Sequence, residues 1–265
     1  MTPALPGLDP HYSALHQAGM TMRTLGWASA WRLIRNELGL LIALAVVTGG
    51  VLGFVLLADA VGEGDTARFD RAVMLALRQA GDPAVPLGPA WLPTVMRDLT
   101  ALGGVAALSL LVASTVGYLV LVRKRHAALF LLVAVLGGLA LSNSLKVLFG
   151  RVRPDVVPGA PVELSASFPS GHSMLSAVIY LTLGVLLTRV EADPRARSFF
   201  VVVAVILTLL VGTSRVWLGV HWPTDVLAGW CLGAAWALLC WAVALWLQRR
   251  GRIEPARDGA VRSSV

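Results

Sequence analysis

The sequence carries little charge. Only 14% of its 265 residues are Asp, Glu, Lys or Arg, against about a quarter in an ordinary soluble domain. Acidic groups are few, 15 against 22 basic ones, and only two of the basic ones are lysines. Cysteine occurs twice, at Cys231 and Cys240 in one apolar run. On a helix the two would stand about 13 Å apart, too far for a disulfide. There is no CxxC and no Cys/His cluster, so cysteine points to no metal and leaves the redox compartment unread. No basic stripe or stacking platform occurs, so the net charge of +7 does not imply nucleic acid. A G-x-S-x-G turn is also missing, which weakens any reading of Ser170 or Ser214 as a hydrolase nucleophile. No signal peptide is expected. The first 37 residues hold prolines and charges, and the first apolar run is too long for a signal core.

What is there is oil. The chain is 57% hydrophobic with a mean hydropathy of +0.74, which points to an integral membrane protein. Six apolar runs are long enough, or nearly so, to cross a bilayer as helices: Leu38 to Ala58, Ala101 to Val122, Ala127 to Leu145, Ser173 to Thr188, Phe199 to Val211 and Val226 to Leu247. The fourth is short and is expected to reach back to Ser170, and the fifth to extend to Thr213. The predicted fold is therefore all-α, a polytopic bundle of six transmembrane helices spanning residues 38–247. Residues 1–37 form an N-terminal arm. Residues 248–265 form a polar, arginine-rich tail predicted to be disordered. Between the first two spans, residues 59–100 alternate charged with apolar residues and then cluster prolines. One or two amphipathic helices at the membrane surface are expected there.

The basic residues give an orientation. With both termini inside, fourteen of the 22 lysines and arginines fall on the inner side, as the positive-inside rule requires. Three chemically unusual stretches, around Lys146, His172 and His221, then share the outer face. The expectation is a protein of a bacterial plasma membrane whose site faces outward.

The first stretch is KVLFGRVRP, with Lys146 at the end of the third span and Arg153 seven residues later. Each cation has an ordinary reading, snorkelling to the interface, and for Arg151 that reading is preferred. The second is FPSGHS. Pro169 suits a first helical turn, and Ser170, Gly171 and His172 would open the fourth span. The N–H groups of a helix start form a ready anion site, and Gly171 admits a ligand close to the backbone. A plain helix cap with an incidental histidine fits equally well. The third is SRVWLGVHWPTD. Asp225, four residues beyond His221, can accept from Nδ1–H of the imidazole and so present the Nε2 lone pair. The ordinary readings are a first-turn acid at Asp225 and an interface anchor at Arg215. Trp91, Trp217 and Trp222 read as interfacial anchors. Taken together the three stretches supply the cations Lys146, Arg153 and Arg215, a row of N–H groups, two histidines and one carboxylate. That set matches a phosphate dianion and the charge on its equatorial oxygens.

These motifs resemble the signatures of the type 2 phosphatidic acid phosphatase (PAP2, lipid phosphate phosphatase) superfamily: K-x6-R-P from Lys146 to Pro154, P-S-G-H from Pro169 to His172, and S-R-x5-H-x3-D from Ser214 to Asp225. The resemblance implies a six-helix membrane bundle and a metal-independent phosphohydrolase with a histidine nucleophile. On that footing His221 is the expected nucleophile, Asp225 its orienter and His172 the acid and base. Lys146, Arg153, Ser170, Gly171 and Arg215 hold the phosphate. No cofactor and no metal are expected. The substrate would be a membrane lipid phosphate or diphosphate, such as undecaprenyl diphosphate, phosphatidic acid, phosphatidylglycerol phosphate or a lipid A phosphate. The loop from Asp155 to Ser167 would lie beside it. The alternatives are a phosphotransferase of the same superfamily and, more distantly, a non-catalytic lipid transporter. A transporter would need polar groups near the middle of the spans, which hold few ionisable residues. The oligomeric state is not legible.

Overall fold

The computed structural model describes residues 41–158 and 165–249. The expected N-terminal arm, the tail beyond residue 249 and part of the loop after Asp155 lie outside the described residues. The chain divides into two contact units, Met1–Leu44 and Ala45–Val265, and the packing below concerns the second.

The described residues are mostly helical. Helix α1 is Leu41–Glu63. It is followed by α2 (Ala67–Ala76), a two-stranded antiparallel hairpin of β1 (Arg78–Gln79) and β2 (Asp82–Pro86), and α3 (Leu92–Ala101). Then come α4 (Val105–Leu121), α5 (Arg125–Phe149), α6 (Gly171–Val190), α7 (Pro194–Trp217) and α8 (Pro223–Arg249). Five helices are long and apolar enough to cross a membrane. A sixth crossing forms if α3 and α4 count as one span, bent by 43° at Leu102–Gly104. This is the expected membrane bundle, with two differences. The second span is broken rather than continuous, and residues 59–100 fold as helix, hairpin and helix. Gly81, at φ +90°, makes the hairpin turn, a conformation that glycine adopts without strain.

The helices also outrun their apolar cores. α5 takes in Lys146 in its last turn, and α7 runs from Pro194 through Arg215. A charged residue in a terminal turn lowers hydropathy but not helicity, because its head can reach the interface. Local chemistry sets the ends. Gly150 stops α5 in the left-handed region at φ +54°. Ser170 caps α6 and Asp193 caps α7, with Pro194 in the first turn. Pro169 therefore lies just outside α6 rather than in its first turn.

α6 is the centre of the bundle, packed on α5, α7 and α8. One core joins Leu108 and Val112 of α4 to Ile179, Tyr180, Ala204 and Val211. A second surrounds Phe168, which stacks on Phe54 and meets the edge of Phe149. α8 lies close to α6, where Gly229 and Gly233 face the α6 backbone. On the outside, large side chains such as Leu136, Val147 and Phe199 stay exposed, as expected where lipid is the solvent.

Candidate active site

The site is built where the α5–α6 loop, the start of α6 and the α7–α8 turn meet at one end of the bundle. α8 opens on Trp222-Pro223-Thr224-Asp225. Asp225 reaches back to accept from the Trp222 N–H at 2.9 Å, as an acid three residues into a helix can. That hydrogen bond fixes the carboxylate under His221. Nδ1 of His221 lies 3.4 Å from Asp225 Oδ2, and both residues are buried.

On the other side of the ring, Arg153 Nη1 lies 3.1 Å from His221 Nε2. A guanidinium can only donate, so Nε2 must accept and the proton must sit on Nδ1, facing Asp225. The ring is neutral. Burial pushes its pKa down to about 4, against the raising effect of Asp225, and the charges of Arg153 and Arg215 lower it further. The ring is thus held with its Nε2 lone pair turned toward the Arg153 guanidinium.

Two of the expected cations, Arg153 and Arg215, act on this ring. Arg153 also donates to the Val220 carbonyl and, on its other edge, to Ser165. Arg215 is buried and donates to Thr100 Oγ1 at 3.1 Å, which anchors it to the last turn of α3. Lys146 donates to the Ala166 carbonyl. A Cβ at Gly171 would stand 3.5 Å from Lys146 Cε, so Lys146 lies against the first turn of α6. Gly171 and His172, both partly exposed, form that turn. Ser170 is buried, with its hydroxyl accepting from Ser173 and its N–H donating to the Asp225 carbonyl at 3.0 Å. That backbone bond ties the α6 start to the α8 start.

Arg151 is not the interface anchor that its sequence context suggested. It lies between two fully buried carboxylates, 2.5 Å from Asp225 Oδ1 and 2.7 Å from Asp70 Oδ2. Asp70, on α2, also accepts from the Thr224 N–H at 3.0 Å and the Thr224 hydroxyl at 2.7 Å. Ser167 is the other residue missed. Its hydroxyl donates to Asp225 Oδ2, and its N–H donates to the Arg151 carbonyl. Asp70 reads in sequence as the polar face of an amphipathic helix. Thr224 and Arg151 carried a signal only by their places inside the third and first motifs. Of the tryptophans, Trp91 is exposed, whereas Trp217 is buried under the Arg78 guanidinium and Trp222 donates to the Val152 carbonyl. Among the described residues no group of three or more His, Cys, Asp or Glu side chains is placed to hold a metal.

The PAP2 superfamily model matches residues 127–249. Phosphatidylglycerophosphatase B of Bacillus subtilis is 34% identical over 183 residues, covering 69% of this chain and 86% of that protein. An undecaprenyl-diphosphatase of Sulfolobus acidocaldarius is 32% identical over 121 residues, 44% of this chain and 54% of that protein. The crystal structure of a transmembrane PAP2-type phosphatidylglycerolphosphate phosphatase from Bacillus subtilis superposes with a TM-score of 0.68 at 31% identity, over 77% of this chain and 98% of that one.

Proposed function

Because the chain belongs to the PAP2 superfamily, we propose that it hydrolyses a membrane lipid phosphate or diphosphate through a phosphohistidine on His221, at the extracytoplasmic face. The observation that carries this reading is the imidazole of His221. It is held neutral, with Nδ1–H toward Asp225 and Nε2 toward Arg153. Its named relatives act on phosphatidylglycerol phosphate and undecaprenyl diphosphate, so both classes belong among the substrates to test.

The substrate's phosphoryl group enters among Arg153, Arg215 and Lys146, which take its nonbridging oxygens together with the first-turn N–H groups of α6. Nε2 of His221 then attacks phosphorus in line. The P–N bond forms as the bond to the lipid oxygen breaks. His172 gives that oxygen its proton. Asp225 balances the positive charge that grows on the imidazole. In the second half, His172 takes a proton from water, the hydroxide oxygen bonds to phosphorus, and the P–N bond breaks. Inorganic phosphate leaves and His221 is neutral again. Fixed cations supply the charge that a metal would otherwise bring. Both buried carboxylates are already engaged by Arg151.

The test is His221→Ala in purified protein, with phosphate release measured on phosphatidic acid, phosphatidylglycerol phosphate and undecaprenyl diphosphate in detergent. Loss of turnover is expected on every substrate the wild type uses. With lipid labelled in its phosphoryl group, wild type but not the variant should give an acid-labile labelled protein on quenching. Substantial turnover in His221→Ala refutes the nucleophile. Activity lost in EDTA and restored by Mg²⁺ refutes the metal-free reading.

A further inference from the structure

The steps above assign no role to α2, yet its Asp70 joins the His221–Asp225 cluster through Arg151. α2 lies outside the region matched by the family model. Asp70 has no exposed surface, and its carboxylate accepts from Thr224 N–H, Thr224 Oγ1 and Arg151 Nη2. The other edge of the Arg151 guanidinium is on Asp225 Oδ1, and Asp225 Oδ2 faces His221. The order is Asp70, Arg151, Asp225, His221, with charges minus, plus, minus and neutral. The charged groups acting on the imidazole are Asp225 from α8, Arg153 from the α5–α6 loop and Arg215 from α7. The hydroxyl of Ser167 also lies 3.4 Å from Nδ1.

Arg151 opposite Asp225 alone would neutralise it, and its pull on the imidazole would weaken. A second carboxylate on the far edge of the guanidinium offsets that cation, so Asp225 keeps its negative charge for His221. We propose that Asp70, acting through Arg151, is a positioning residue that holds Asp225 in place and sets how much positive charge His221 can accept during phosphoryl transfer. The inference rests on the phosphohistidine reading given under Proposed function.

Asp70→Asn keeps an acceptor for the Thr224 N–H and removes the charge. On a short-chain phosphatidic acid in detergent micelles, kcat should fall about tenfold, the equivalent of one pKa unit, with KM nearly unchanged. Arg151→Gln should act in the opposite electrostatic sense. It leaves two carboxylates near the imidazole, so the acid limb of kcat/KM, which reports the free enzyme, should rise by about one pH unit against wild type on the same substrate. The double variant should bring the acid limb back toward wild type, a coupling that independent structural damage does not produce. Wild-type kcat in folded Asp70→Asn overturns the proposal. So does an acid limb that Arg151→Gln leaves in place. If Asp70→Asn yields no folded protein, the Arg151→Gln limb decides alone. An inactive His221→Ala beside an unaffected Asp70→Asn defeats only this inference, whereas an active His221→Ala defeats the reading beneath it.

Discussion

Gly229→Ala should damage catalysis without touching a chemical group. Gly229 lies on α8 one turn beyond Asp225. A methyl carbon there would stand 2.8 Å from the Ser170 carbonyl oxygen, 3.0 Å from Ser173 Cβ and 3.1 Å from the Met174 nitrogen. Two of the three are backbone atoms, at the cap and in the first turn of α6, so no side chain can swing aside. Restoring ordinary contact requires the helices to part by about 0.5–1 Å, and interiors packed at crystal density transmit such shifts. Overpacking of this kind costs about 1–3 kcal/mol. The first bond to stretch is the one from Ser170 N–H to the Asp225 carbonyl, now 3.0 Å. That moves the His172 turn away from the His221 turn. A displacement near 1 Å at reacting groups costs up to about a hundredfold in rate. Purified variant and wild type would be compared by phosphate release on a lipid phosphate and by thermal melting in the same detergent. Gly117→Ala is the control, because nothing lies within 4 Å of its added carbon and alanine favours the helix by about 1 kcal/mol. The expected result is a lower melting temperature and a kcat down tenfold or more for Gly229→Ala, with neither in Gly117→Ala. Wild-type kcat and melting in Gly229→Ala would refute the close crossing of α6 and α8 and its claimed hold on the site.

Ser167→Ala should lower kcat by about tenfold or more, since it removes a hydrogen bond to the Asp225 carboxylate, and bonds to charged groups contribute about 1.5–3 kcal/mol; little change in steady-state rates would exclude that role. Stability should fall as pH drops from 6.5 to 4. The unfolded chain then takes up a proton that folded His221, with its pKa near 4, refuses, a loss of about 3 kcal/mol across the window. Denaturant titrations of wild type and His221→Gln at both pH values isolate this from the carboxylates, and equal slopes would contradict it. Ala84→Cys, on the exposed hairpin at the site end of the bundle, should react with a membrane-impermeant thiol reagent on intact cells. Labelling only after lysis would reverse the proposed orientation.

Hydropathy made the spans legible, because a bilayer selects for long apolar runs whatever their packing partners. It failed at Leu102–Gly104, where a bend interrupts a run that composition leaves continuous, and at the proline-rich hairpin, whose strands are two and five residues long. His221 and Asp225 were legible for a local reason, since four residues and a helix start place one under the other. Lys146, Arg153 and Arg215 came from motif spacing. Arg151 and Asp70 did not, since their partnership crosses 81 residues of chain and Asp70 meets Thr224 across 154. No local pattern separates a buried ion pair at such range from two charges at an interface. Ser167 was hidden in a loop whose path, not its composition, brings the hydroxyl to Asp225.

The contact between Arg153 and His221 has a consequence for selectivity. The guanidinium lies on the Nε2 lone pair that the proposed mechanism would use for attack. The same group is the natural grip for an incoming anion, which competes better for its N–H bonds than a neutral ring does. Gripping the phosphate and uncovering the nitrogen are thus one motion. A neutral electrophile of similar size cannot draw the guanidinium off, so it meets a covered histidine. On the proposed mechanism, His221 would therefore favour anionic electrophiles over neutral ones of the same size.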